Sequence, residues 1–181
     1  MLTYFDILQK RRSIRSFAPR AVEREKRELL LEAALRAPSS RGHMPWEFVV
    51  VEDPQLLQQL GHAKLHGSLF LASAPLAIVV AADPDKCDVW VEDLSIAAIL
   101  IQLAATALEL GSCWAQIRLR DHNESGYSAN DYLADLLNLP GHYQVGSIIG
   151  VGYPAEDKPG HAREELDWDK LHADQFGVRL S

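Results

Sequence analysis

Residues 91–110 constrain this chain more than any other stretch. Read as a helix they are apolar on nearly all sides, and such a helix must be covered. Its most apolar part, 94–108, is short for a bilayer span and carries Ser95, Gln102 and Thr106. The stretch therefore predicts a buried helix at the centre of a globular fold, ended by Gly111. A chain of 181 residues that is 48% apolar suits a single domain over 1–181 with a sizeable core.

Capping and turn signals place the other elements. Thr3 with Asp6 has the pattern of a capping box and opens a short helix through about Lys10. A second helix is expected over 23–37, stopped by Pro38. The β-branched and aromatic run 46–52 reads as a buried strand. Asp53-Pro54 starts a helix that is expected to reach His66. Strands are expected over 76–82, 112–117 and 144–151, and a helix from Asn130 to near Asn138. Helices and strands intermix without a βαβ rhythm, which predicts an α+β fold rather than a doubly wound sheet. From Tyr153 the composition shifts to Pro, Gly, acids and lysine. Trp168 and Phe176 stand there as aromatic anchors in polar surroundings, so the tail is expected to lie over something such as a second subunit.

A net charge of −7 and a pI near 5.4 argue against nucleic acid as the main partner. Cys87 and Cys113 form no CxxC pair, which disfavours a zinc ribbon, a thioredoxin-type motif and a cysteine-ligated cluster. Two thiols without a disulfide framework fit a reducing compartment. Met1-Leu2-Thr3-Tyr4 lacks the basic-then-apolar opening of a signal peptide. The expectation is a cytoplasmic protein with no membrane partner.

Against that acidic background, Arg11-Arg12-Ser13-Ile14-Arg15-Ser16-Phe17 packs three guanidinium groups into five residues. They need water or an anion. In an extended segment Arg11, Ser13 and Arg15 point one way and Arg12 and Ile14 the other. Two planar forks and a hydroxyl along one edge match phosphate oxygens. A solvated basic turn is the plain alternative. Other motifs carry less. Gly150-Val151-Gly152 follows a strand, but Tyr153-Pro154 prevents the helix that a dinucleotide fingerprint requires. His62 and His66 stand four apart on the expected helix but lack the Glu of HExxH and a third ligand. No GxSxG elbow occurs. The loop Pro38-Ser39-Ser40 offers hydroxyls and amides to a heterocycle, or is an ordinary helix-to-strand connection.

The arginine strip, then Ala37-Pro38-Ser39-Ser40 and Pro45-Trp46-Glu47-Phe48 at this separation, resembles the nitroreductase-like family of FMN-dependent oxidoreductases. Asp93-Leu94-Ser95, Leu110-Gly111-Ser112-Cys113-Trp114 and the closing Gly-Tyr-Pro fit the same pattern, so the resemblance covers nearly the whole chain. It implies a central, mainly antiparallel sheet flanked by helices, in an intertwined homodimer with FMN at the interface and 153–181 wrapping the partner. By the same resemblance Arg11, with Arg12 and Ser13 beside it, would hold the FMN phosphate. Arg15 would reach the pyrimidine edge of the ring, where a fixed cation favours the reduced flavin. Pro38, Ser39 and Ser40 would come from the other subunit. Ala115, Gln116 and Ile117 would pass along the ring, Gly152 would allow close backbone approach, and Lys158 or Arg163 would complete the phosphate clamp. Gly42 and Met44 stand where the family often has Asn and Gln, so the side-chain amides of that loop are missing. The chain also lacks the inserted helical excursion of longer members.

The expected function is an FMN oxidoreductase that takes hydride from NAD(P)H and reduces a nitroaromatic, quinone or activated alkene by a ping-pong mechanism. The alternative is a non-catalytic flavin-binding carrier or sensor. No side chain need act as nucleophile, and no metal is expected.

Overall fold

The computed structural model describes residues 2–123 and 125–180. Thr3 and Asp6 form the expected capping box and open α1 (Tyr4–Lys10). Then follow α2 (Arg24–Leu35), β1 (Trp46–Val51), α3 (Pro54–Gly61) and β2 (Leu76–Ala82). After these come α4 (Trp90–Ala107), β3 (Gly111–Gln116), α5 (Ala129–Leu137) and β4 (Gln144–Gly152). The four strands pair antiparallel in the order β1-β2-β4-β3. Every residue of β2 is buried, which is why Leu-Ala-Ile-Val-Val-Ala-Ala shows no alternation: both faces of the sheet are covered. Ile78, Val80, Ile149 and Val151 pack on the side of α2 and α4. Val79, Ala81, Ala115 and Ile148 pack on the side of α3 and α5. The α+β architecture matches the expectation.

Four local readings are corrected. The helix from Pro54 stops at Gly61 and does not reach His66. Gly61 lies against Ala72, whose Cβ would stand 2.9 Å from an added Cβ, and the Ser68 hydroxyl donates to the Gly61 carbonyl at 3.0 Å. His66 therefore falls in a bend, and the helical spacing to His62 is not formed. The central helix ends before Gly111. Leu108 is its C-cap and Glu109 takes the left-handed conformation (φ 61°), while Gly111 opens β3 under Ile14. Finally, α4 is not covered all round. Leu94, Ala97, Ala98 and Ile101 are buried, but Ser95, Ile96 and Ile99 are exposed. By length and composition α4 is apolar enough to cross a membrane, yet its buried face packs against α2 and the sheet. The last helix starts one residue earlier than expected, at Ala129. Ser128 caps it, and the Asn130 side chain accepts the Val145 N–H instead.

Candidate functional site

The arginine strip leaves α1 at Arg11 and crosses the end of the sheet. Ser13 bridges Ser112 on β3, where the Ile14 N–H donates to the Ser112 carbonyl at 3.0 Å. The strip then pairs with the chain beyond β4. Ala18 N–H donates to the Tyr153 carbonyl at 2.8 Å, and Ala155 N–H to the Ser16 carbonyl at 2.9 Å. Alternation sorts the side chains. Arg12 and Ile14 line a cavity of 270 Å³ with Lys158 and Gly111. Arg11 lines a different one, of 570 Å³, with Phe5, Leu8, Arg163 and Trp168.

The segment after β4 staples the strip in place. Glu156 accepts the N–H groups of Arg15 and Ser16 and pairs with Lys158 at 2.8 Å. Lys158 also donates to the Ser13 carbonyl at 3.1 Å, and Arg12 donates to the Pro159 carbonyl. Arg12 and Lys158 are thus spent on protein groups, whereas Arg163 shares the cavity of Arg11. The Lys158 ammonium, helped by the Arg15 and Ser16 N–H groups, holds the Glu156 carboxyl down to about 2 from an ordinary 4.5. A carboxylate depressed in the folded state contributes stability that is complete above its unfolded value and is lost as pH falls through the folded one. We expect Glu156→Gln to be less stable than the native chain at pH 7, with the difference shrinking between pH 4.5 and 2. Denaturant melts across that range would refute this if the two curves stayed parallel.

Among the described residues Arg11, Arg15 and Arg163 form no ion pair. Arg163 is braced over the Trp168 ring, 4.6 Å from its centroid, and Trp168 Nε1–H donates to the Arg163 carbonyl at 3.0 Å. Beside the strip lies β3, an edge strand. Ser112 turns its carbonyl away from β4 toward Ile14, so by antiparallel alternation Trp114 and Gln116 present N–H and C=O on the same outer edge. Ala115 and Ile117 are buried, and the Gln116 side chain is fixed between Trp114 Nε1 (3.0 Å) and the Arg118 carbonyl (3.1 Å). Burial pushes the Cys113 thiol up, with Arg15 and the Ser13 hydroxyl pulling the other way. It is therefore protonated at neutral pH and no nucleophile.

The loop after α2 lies elsewhere. Pro38 is exposed and Ser39 and Ser40 half-buried. Ser39 Oγ accepts the Met44 N–H at 2.9 Å, and Asp93 Oδ1 accepts the Ser40 N–H at 2.9 Å. Arg41, Gly42 and Met44 all have positive φ (51°, 70° and 45°) and are exposed. The loop leads into β1, at the opposite sheet edge from β3, about 14 Å away at ~4.8 Å per strand. It sits at the N-terminal end of α4, whereas Arg12 and Ile14 sit with Thr106 and Gly111 at the other end, about 20 Å along the axis. One chain does not bring the loop to the strip.

Gly152 is also placed by packing: an added Cβ would stand 2.5 Å from Pro75 Cδ and 3.0 Å from Phe17 Cδ1. Gly152→Ala is expected to cost about 1–3 kcal/mol through overpacking. An unchanged denaturation midpoint would contradict that. The sequence reading missed the Glu156–Lys158 staple and the Asp93 contact. Its one available signal was a carboxylate in the first turn of an otherwise apolar helix.

The arrangement is a pair of guanidinium groups, Arg11 and Arg163, in one cavity, and an open edge of backbone donors and acceptors on β3, on an antiparallel α+β frame. The nitroreductase family model matches residues 8–69 and 58–153, and the chain belongs to that family. It is similar to an FMN-dependent nitroreductase of Clostridium difficile R20291, with 46% identity and a TM-score of 0.92 over 94% of this chain and 98% of that one. A candidate NADH dehydrogenase/NAD(P)H nitroreductase of Archaeoglobus fulgidus is 34% identical over 175 residues, 94% of this chain and 97% of its own length. In fold the chain is also like a nitroreductase with bound FMN from Desulfitobacterium hafniense DCB-2, at 24% identity and a TM-score of 0.75 over 97% of this chain and all of that one.

Proposed function

We propose that this chain is an FMN-dependent oxidoreductase that accepts hydride from NAD(P)H and reduces a small organic acceptor, a nitroaromatic, quinone or activated alkene, by a ping-pong mechanism. The observation that carries the reading is that, among the described residues, three guanidinium groups on and facing the strip that bridges the edge of β3 have no carboxylate partner, in a chain of net charge −7. The donor set fits FMN. Arg11 and Arg163 suit a phosphate of about −1.5 to −2 charge. The Gln116 backbone N–H and C=O suit the alternating donors and acceptors of the ring. When bound, the flavin supplies the two-electron chemistry. Arg11 holds the cofactor by its phosphate. Arg15 keeps a positive charge at the pyrimidine edge, where negative charge collects on reduction. Glu156 and Lys158 fix the backbone of Arg15 and Ser13, so that charge is placed in advance.

The working unit in this reading is a homodimer with two sites at the interface. It brings the partner's Pro38, Ser39, Ser40, Gly42 and Met44 to the flavin, which one chain cannot do. Two features support it. The α4 face bearing Ser95, Ile96 and Ile99 is uncovered. Beyond residue 163 the tail exposes Leu166, Trp168, Leu171, Phe176, Val178 and Leu180, apolar surface that a tail wrapped on a partner would bury.

The test is spectroscopic. The purified protein should show flavin absorption, release the chromophore on heating and bleach on anaerobic mixing with NADH or NADPH. A preparation that stays colourless after incubation with excess FMN ends the reading, and bound flavin that no pyridine nucleotide bleaches makes the protein a carrier or sensor. In the same assay Arg15→Ala is expected to slow bleaching at least about tenfold while changing FMN affinity by less. The reverse order would move Arg15 to a purely binding role.

A further inference from the structure

The strongest unassigned feature is the carboxylate of Asp93. It is only 2% exposed, in the first turn of the helix that fills the core. Both oxygens are engaged: Oδ1 accepts the Ser40 N–H at 2.9 Å, and Oδ2 accepts the Cys87 S–H at 3.5 Å. The positive end of α4 favours the charge there. Three segments are tied together here, since the Asp83 N–H, four residues before Cys87, also holds the Pro45 carbonyl at 3.1 Å. The turn tied down in this way is unfavourable by itself, because Arg41 and Met44 take left-handed φ without being glycine. Besides the backbone bonds Gly42 N–H to Ser39 C=O (3.2 Å) and His43 N–H to Ser40 C=O (3.0 Å), two side chains hold it: Asp93 accepts the Ser40 N–H at its start and Ser39 Oγ the Met44 N–H at its end. A buried charge that spends an oxygen on one backbone N–H of an exposed, unfavourable turn is not explained by core packing, which an apolar side chain would serve better.

We propose that Asp93 is a positioning residue that presets the 39–44 turn for the cofactor of a second copy of this chain. The proposal rests on the reading that this turn reaches the partner's flavin. It is distinct from that reading, because the turn's order is measurable without any flavin. Arg41 provides the probe, as trypsin cleaves after it and it is exposed. Arg20, exposed in the turn before α2, gives the reference cleavage.

In the flavin-free protein, Asp93→Ala should raise cleavage after Arg41 about tenfold relative to Arg20, and should weaken FMN in a fluorescence titration by a similar factor. Asp93→Asn keeps an oxygen for the Ser40 N–H and should stay within about threefold of the native chain in both assays. Ser40→Pro removes the donor instead, at the first position of the turn where proline is tolerated, and should reproduce Asp93→Ala. It decides the matter if Asp93→Ala does not fold. Native behaviour of Asp93→Ala, or of Ser40→Pro in its place, overturns the proposal. So does faster cleavage with unchanged FMN affinity, or damage by Asp93→Asn equal to that by Asp93→Ala. If the native chain itself binds no FMN, the functional reading falls first and the proposal with it, whatever the cleavage rates show about the clamp.

Discussion

Replacing Arg11 by glutamate is expected to abolish FMN binding and leave the fold intact. The Arg11 side chain is half-buried in a cavity it shares with Arg163, and among the described residues it has no carboxylate partner. Each charge-assisted bond to a phosphate oxygen is worth about 1.5–3 kcal/mol, and the new carboxylate adds repulsion to the lost attraction. The dissociation constant should rise more than about a hundredfold in a titration of flavin-free protein. The helix before it does not depend on the side chain, since Arg11 caps α1 through its backbone N–H to the Ile7 carbonyl. Far-UV circular dichroism should therefore be unchanged. Riboflavin, which lacks the phosphate, is the control and should bind the variant and the native chain alike. Full FMN occupancy in Arg11→Glu would remove the phosphate assignment.

Ile99→Glu is expected to give a folded monomer without flavin. Ile99 is 38% exposed and its neighbour Ile96 36% exposed, so neither completes the core of one chain. In the homodimer proposed above, with the bare α4 face in its interface, the substitution would bury two carboxylates with no partner, a penalty of several kcal/mol per ion. Flavin is lost as a consequence, because the loop at Ser39 and Ser40 and the strip at Arg11 lie too far apart in a single chain. Sedimentation velocity and flavin content are the measurements. A dimer that retains FMN would show that the interface runs elsewhere.

Much of the architecture was legible because it rests on local chemistry. The Thr3–Asp6 box, the Asp53 cap and strand 76–82 depend on neighbours within a few residues or on an unbroken apolar run. The end of α3 was not legible. Ala72 and the Ser68 hydroxyl terminate it, and both arrive from the following segment. The site divided in the same way. The strip's alternation of Arg11 against Arg12 and Ile14 follows from extended backbone, and it sends them to two different cavities. That Arg12 is consumed by the Pro159 carbonyl and Lys158 by the Ser13 carbonyl depends on a return of the chain more than 140 residues later, which no local pattern announces.

Residue order carried the family, the element types and the surplus of positive charge near the start, since these are properties of short segments and their spacing. Folding in three dimensions settled which guanidinium groups stay unpaired among the described residues, which side of the central helix is left bare, and that the serine loop stands across the sheet from the arginines. Those outcomes depend on long-range contacts competing for the same donors and the same apolar surface, and such competition is resolved only when distant segments meet.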